Sequence, residues 1–214
     1  MTISIMNRII DPKKIEEKSF EIIEGLLPPL DLSPEEKAVL KRVIHTTTDL
    51  EYAKMLLFHP KAVSVGVSAI KSGKNVICDV TMVEAGINKK TLSSFGGKVI
   101  CLINDVNVIK QAQELKIARA IVAMQEAAKY MDGAIIAIGN APTALFEICD
   151  LIRKNKIKPA LIVGIPVGFV GAAESKKELS MLNVPFITNI GTKGGSPVAA
   201  AIINALLKLA KERV

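Results

Sequence analysis

The chain has 214 residues, half of them apolar, with 28 lysines and arginines against 21 aspartates and glutamates, two histidines and no tryptophan. That length can bury a core of ordinary domain size without disulfide or metal staples, and Cys78, Cys101 and Cys149 are odd in number, far apart and set in apolar runs, which reads as reduced thiols in a cytoplasmic protein. The net charge of +7 favours an anionic partner, but scattered lysines and scarce aromatics argue against nucleic acid, and no apolar stretch runs unbroken for the ~20 residues of a membrane span.

The opening "MTISIMNRIIDPKK" lacks the pattern of a secretory signal, so export is not expected. Asp11 reads as an N-cap with Pro12 at the first helical position, starting a helix that turns Ile15, Phe20, Ile22 and Ile23 toward one side. Ser33, Pro34 and Glu36 then form a capping box ahead of Val39, Leu40, Val43 and Ile44, which places His45 at or near the end of a second helix. A further helix from about Asp49 is expected to stop at His59-Pro60, and "PKAVSVGVSAIKSG" supplies another that Gly73 terminates.

From Asn75 onward the pattern changes. "NVICDV", "KVICLI", "GAIIAIG", "ALIVGIPV" and "PFITNI" are runs of strand length, nearly continuous in hydrophobicity, as in strands covered on both faces. Amphipathic helices separate them, the one from Asp105 broken once. The fold class expected is α/β, a three-layer arrangement with a sheet of five mainly parallel strands and helices on both faces. The organisation expected is a single domain over residues 1–214, with a helical segment to about residue 73 packing on the sheet region.

Ligands of open parallel sheets bind beyond the strands' carboxyl ends, which directs attention to "GNAPTA", "GIPVGFVGAAESK" and "GTKGGSPVAAA". Each leads glycine and small residues into a helix start, where unpaired N–H groups suit an anion. Neither G-x-G-x-x-G nor a Gly-Lys-Ser/Thr phosphate loop is present, so each loop is a tight turn or a ligand cradle. His45 is either a helix-terminal cap or a general acid, since imidazole alone titrates near neutrality. His59, before Pro60, reads as structural, and no set of side chains has metal-ligand spacing.

Taken together, "DPKKIEEKSFEII", "VIHTTTD", "VICDVTMVEAGI", "AIIAIGNAPTALFEI", "ALIVGIPVGFVGAAESK" and "PFITNIGTKGGSPVAAAIINAL" closely resemble the precorrin-8X methylmutase family, also called cobalt-precorrin-8 methylmutase. The resemblance runs from about Asp11 to Leu207 without a large gap. It implies a flavodoxin-like sheet, a homodimer, no cofactor, and a methyl shift at ring C of a corrinoid tetrapyrrole on the way to cobalamin. It also implies that His45 protonates, or donates a hydrogen bond to, the ring C nitrogen, and that Ser19 and Arg119 lie near the substrate. The candidate substrate contacts in the loops are Gly139, Asn140, Ala141, Gly168, Val170, Gly171, Lys193, Gly194, Gly195 and Ser196. "HTTT" departs from the family's usual His-Ala-Cys/Thr-Gly, and an arginine often present ahead of the glycines is missing, leaving Lys193 to meet a carboxylate. A non-catalytic corrinoid carrier and a flavin or nucleotide oxidoreductase are the other functions weighed.

Overall fold

The computed structural model describes residues 9–212. Asp11 accepts from the Lys13 N–H at 2.9 Å and opens helix α1 (Pro12–Leu26). The capping box opens α2 (Pro34–Thr47), with Ser33 Oγ accepting from the Glu36 N–H and Glu36 Oε2 accepting from the Ser33 N–H. Val39, Leu40, Val43 and Ile44 are buried as the periodicity predicts. In α1 only Ile23 is buried; Ile15, Ile22 and Leu26 are 46%, 52% and 59% exposed. At 100° per residue Ile15 and Ile22 fall on a different face from Phe20 and Ile23, so α1 carries two apolar strips and its fold buries one.

A short α3 (Tyr52–Met55) leads into β1 (Leu56–Phe58). The expected helix through His59 is therefore corrected to one turn and a strand. β1 pairs antiparallel with β6 (Phe186–Asn189), Leu56 opposite Asn189. That pairing partner lies some 130 residues away, so nothing local marks the strand. Helix α4 (Ala62–Lys71) ends as expected before Gly73, whose φ is +69°.

The five expected strands form as β2 (Val76–Cys78), β3 (Val99–Cys101), β4 (Ile135–Ile138), β5 (Leu161–Gly164) and β6. With β1 they make six, not five, in the order β1-β6-β5-β4-β2-β3, parallel except at β1. The connecting helices are α5 (Thr81–Gly86) and α6 (Lys89–Ser94), which the periodicity does not announce, then α7 (Val106–Leu115) and α8 (Arg119–Ala127), parted at a left-handed Lys116. The rest are α9 (Pro142–Arg153), α10 (Ala172–Ser180) and α11 (Ser196–Glu212).

Alternate strand residues face different layers. Val76, Ile135, Leu161 and Ile187 join the apolar cluster of α1, α2, α4, α5 and α11, whereas Ile77, Ile136 and Ile162 join that of α7, α8, α9 and α10. The three cysteines are free; Cys78 stands opposite Cys101 in the β2–β3 ladder, and burial raises the pKa of both thiols. Among the described residues no helix is long and apolar enough to cross a membrane. The chain steps from β2 out to β3 and back across to β4, so the winding reverses between β2 and β4, the gap where open α/β sheets admit ligands.

Candidate functional site

His45 lies in the last turn of α2, which Thr48 closes in the left-handed conformation at φ +54°. The hydroxyls of the next two threonines bond to the backbone. Thr46 Oγ1 donates to the Arg42 carbonyl, and Thr47 Oγ1 donates to the Val43 carbonyl while accepting from the Asp49 N–H. What orients the imidazole is α1, whose Ser19 Oγ stands 2.8 Å from His45 Nδ1. Phe20 meets the ring edge-on with centroids 5.5 Å apart. The serine hydroxyl can rotate to donate or accept; when it donates to Nδ1, the ring proton resides on Nε2. His59 serves structure, its Nδ1 accepting from the Lys61 N–H at 3.2 Å.

The same face of α1 ties three helices together. Glu16 bridges Arg42 of α2 and Lys208 of α11, and both cations lie over the Phe20 ring. Burial alone would raise the Glu16 pKa, but Arg42 and Lys208 overcome it and hold the carboxyl below its ordinary range. Beside this junction opens a cleft of about 590 Å³ between α2, the α5–α6 turn and α11. Thr46, Arg42, Asn88, Pro197, Lys208 and Lys211 are among its lining residues, and its volume lies within the range of small-molecule sites.

The three glycine-rich loops come together at the carboxyl edge of the sheet. The Gly168 N–H donates to the Thr192 carbonyl and the Gly195 N–H to the Ile165 carbonyl. At Gly139 a Cβ would fall 2.8 Å from the Ser196 backbone, so the loop after β4 lies hard against the start of α11. The loop after β6 reaches the turn that follows the His45 helix through Lys193, whose ammonium pairs with Asp49 at 2.6 Å and Glu51 at 2.5 Å. These two carboxylates raise the pKa of Lys193, and Lys193 in turn lowers that of Asp49.

Several of the expected anion donors are already engaged. Buried Asp79, just after β2, accepts from the N–H groups of Gly139, Asn140 and Ala141 at 3.0, 2.8 and 2.8 Å. The carboxylate thus fills the gap between β2 and β4 from within. Desolvation raises its pKa, opposed by those backbone bonds. The Gly194 position is likewise dictated by the protein itself, because its φ is +156° and a Cβ would meet the Ile165 and Pro166 carbonyls at 2.5 and 2.6 Å. At Gly168 a Cβ would meet nothing within 4 Å, and Phe169 and Val170 beside it project with 96% and 88% exposure. Gly171 lies against Phe146.

Beneath these loops lies a residue that sequence reasoning missed. Lys176 of α10 is only 2% exposed, yet it forms no ion pair among the described residues; Nζ donates to the Lys193 carbonyl at 2.6 Å and to Asn189 Oδ1 at 3.3 Å. Asn189 Nδ2 donates to the same Lys193 carbonyl and to that of Ile190. Burial lowers the Lys176 pKa to about 8. In "AAESKKELS" nothing local distinguishes Lys176 from Lys177, and only the loops folded over it bury the first. Arg119 stands apart from the other expected residues: it is exposed at the start of α8, in the helix layer across the sheet from His45.

The chain as a whole has known counterparts. The precorrin-8X methylmutase family profile matches residues 14–209. The cobalt-precorrin-8 methylmutase of Priestia megaterium is 49% identical over 205 residues, covering 96% of this chain and 91% of that protein. The precorrin-8X methylmutase of Pseudomonas aeruginosa is 38% identical over 94% of this chain and 98% of its own length. A crystal structure of precorrin-8X methylmutase from Thermus thermophilus superposes with a TM-score of 0.89 at 38% identity, covering 94% of this chain and 97% of the other. A profile match across nearly the whole length, relatives of high identity and the shared fold place this chain in the precorrin-8X methylmutase family.

Proposed function

We propose that the chain moves a methyl group between adjacent carbons at ring C of precorrin-8X or its cobalt-bound counterpart, with His45 as general acid. The observation that carries the reading is the 2.8 Å contact between Ser19 Oγ and His45 Nδ1. With Ser19 donating, the proton rests on Nε2, on the far side of the ring from α1. There it can be shared with the ring C nitrogen as electron density shifts into that atom. A positioned acid of this kind contributes about 10² to 10⁴ in rate, and holding the macrocycle in a reactive geometry contributes further. The shift is an isomerisation without redox change.

Relatives named cobalt-precorrin-8 methylmutase run from 49% down to 36% identity and include matches at 49%, 44%, 43% and 40%, whereas two named precorrin-8X methylmutase stand at 38%. This favours the cobalt-bound substrate. The order of the five parallel strands, with β2 and β4 adjacent at the centre, supports flavodoxin-like layering, and the apolar cluster shared by α1, α2 and the sheet supports a single domain. A homodimer is supported by the exposed strip Ile15, Ile22 and Leu26 on α1. Arg119, across the sheet from His45, joins this site only from a second copy, so its role as a substrate contact stands or falls with the dimer. Among the loop residues, Gly168, Val170 and Gly171 lie on the turn that presents an apolar surface to the macrocycle.

Mixing the enzyme with cobalt-bound and metal-free substrate, as wild type and as His45→Ala, tests the reading through the ultraviolet-visible spectrum. Wild type converts the substrate, while His45→Ala binds it and turns it over at least 10²-fold more slowly. Undiminished conversion by His45→Ala removes the histidine from the mechanism, and binding without conversion by wild type makes the protein a carrier.

A further inference from the structure

The sequence assigns the substrate's carboxylates to the loops at the sheet's carboxyl edge, yet the amides of the first loop and the ammonium of Lys193 are already engaged. Asp79 takes the amides of Gly139, Asn140 and Ala141, and Asp49 and Glu51 take Lys193. The positive charge left over near His45 lies elsewhere. Arg42, Lys208 and Lys211 line the 590 Å³ cleft against one carboxylate, Glu16. Lys211 is exposed and makes no ion pair among the described residues.

We propose that this cleft is the subsite that binds the acetate and propionate carboxylates at the rim of the corrinoid macrocycle, with Lys208 and Lys211 as the groups that recognise them. The assignment rests on the methylmutase reading and names residues for it outside the glycine loops. Three features of the geometry carry it.

First, the cleft adjoins the acid. Thr46, the neighbour of His45, forms part of its wall, and Phe20 touches both the His45 ring and the two cations Arg42 and Lys208. Second, the reach is right. Lys208 lies seven residues along α11 from Ala201, also in the cleft wall, which is about 10 Å at the helical rise, of the order of the radius of a four-ring macrocycle with its side chains. Lys208 and Lys211, three residues apart, project from one face of the helix. Third, the cations are graded in availability. Arg42 is committed to Glu16 and shielded by Phe20, Lys208 makes a 3.4 Å contact with the same carboxylate, and Lys211 is open. A substrate carboxylate can recruit Lys211 outright and draw Lys208 from Glu16, while the Arg42–Glu16 pair keeps α1, and with it Ser19, in place.

Titrating cobyrinate and its fully methyl-esterified derivative into wild type, Lys211→Gln and Lys208→Gln/Lys211→Gln, at low and high salt, tests the assignment. Wild type binds the free acid with a marked salt dependence. Lys211→Gln weakens that binding about threefold and the double variant about tenfold, as expected for partly exposed charge pairs, and the salt dependence flattens. The ester binds all three proteins alike, which excludes collapse of the fold as the cause, and Lys211→Arg restores wild-type affinity for the acid. Equal affinity of wild type and double variant for the free acid overturns the subsite while leaving the methylmutase reading intact, provided wild type still converts its substrate. Failure of wild type to bind either corrinoid overturns both.

Discussion

At the carboxyl edge of the sheet, the polar groups are engaged by the protein itself: three loop amides end on Asp79, Lys193 ends on two carboxylates, and Lys176, sealed beneath the loops, ends on two neutral oxygens. On the side formed by α1, α2 and α11, the imidazole has one ring nitrogen engaged, and cations outnumber carboxylates in an open cleft. The first region has the makings of a rigid frame and the second of a reacting surface. The contrast predicts that substitutions in the frame register as stability and those on the reacting surface as binding and turnover, even where the residue types are alike.

The largest effect belongs to Asp79→Ala. Removing the carboxylate leaves three N–H groups without their acceptor, at about 1–3 kcal/mol for each one buried, and relieves the cost of a buried charge. A net loss of about 4 kcal/mol is expected by urea denaturation. A loss below about 1 kcal/mol would mean that water or a ligand readily takes the carboxylate's place, and the edge would count as an open site after all.

Lys176 adds a pH signature. Its pKa is about 8 in the fold against 10.5 in the unfolded chain, lowered by burial. Between those values the unfolded chain holds a proton that the folded chain has released, so this group makes stability rise with pH from about 8 to 10.5; below 8 both states are charged and the full cost of burial applies. Comparing urea midpoints at pH 7 and pH 10 should show wild type gaining on Lys176→Met by on the order of 3 kcal/mol. Parallel curves for the two proteins would show that the ammonium is not desolvated. Gly194→Ala comes next at about 2 kcal/mol of destabilisation, from a left-handed φ and a Cβ driven onto two carbonyls.

Much of the frame was legible in the sequence because its causes are local. The Asp11 and Ser33 caps, the single break in the helical run after Asp105 and the five apolar strands follow from residues within a few positions of one another. β1 did not, since "LLF" becomes a strand only by pairing with Ile187, Thr188 and Asn189. The loops were located correctly, but the state of their amides was not readable, because the carboxylate that occupies them lies 60 residues upstream in "VICDV". An aspartate ending an apolar strand run was the available signal. Lys208 and Lys211 read as ordinary helix-surface cations until α5, α6 and α1 are folded against α11 to make a cleft of them.

The smallest effect on stability, and the sharpest test of the contrast, is Ser19→Ala. Ser19 is half-buried and its hydroxyl meets His45 Nδ1, so deletion of the hydroxyl should cost less than about 1 kcal/mol in a urea titration. Its effect on turnover should be larger. Without the donor, Nδ1 competes with Nε2 for the ring proton, and the ring, still edge-on to Phe20, loses the bond that sets its rotation. The fraction of enzyme presenting Nε2–H in the right direction falls, and kcat drops by about tenfold while KM moves less. Ser19→Thr, which keeps the hydroxyl, should recover most of the rate. A variant that loses stability as Asp79→Ala does, with turnover per folded molecule intact, would put Ser19 in the frame and leave His45 without the partner that selects its tautomer.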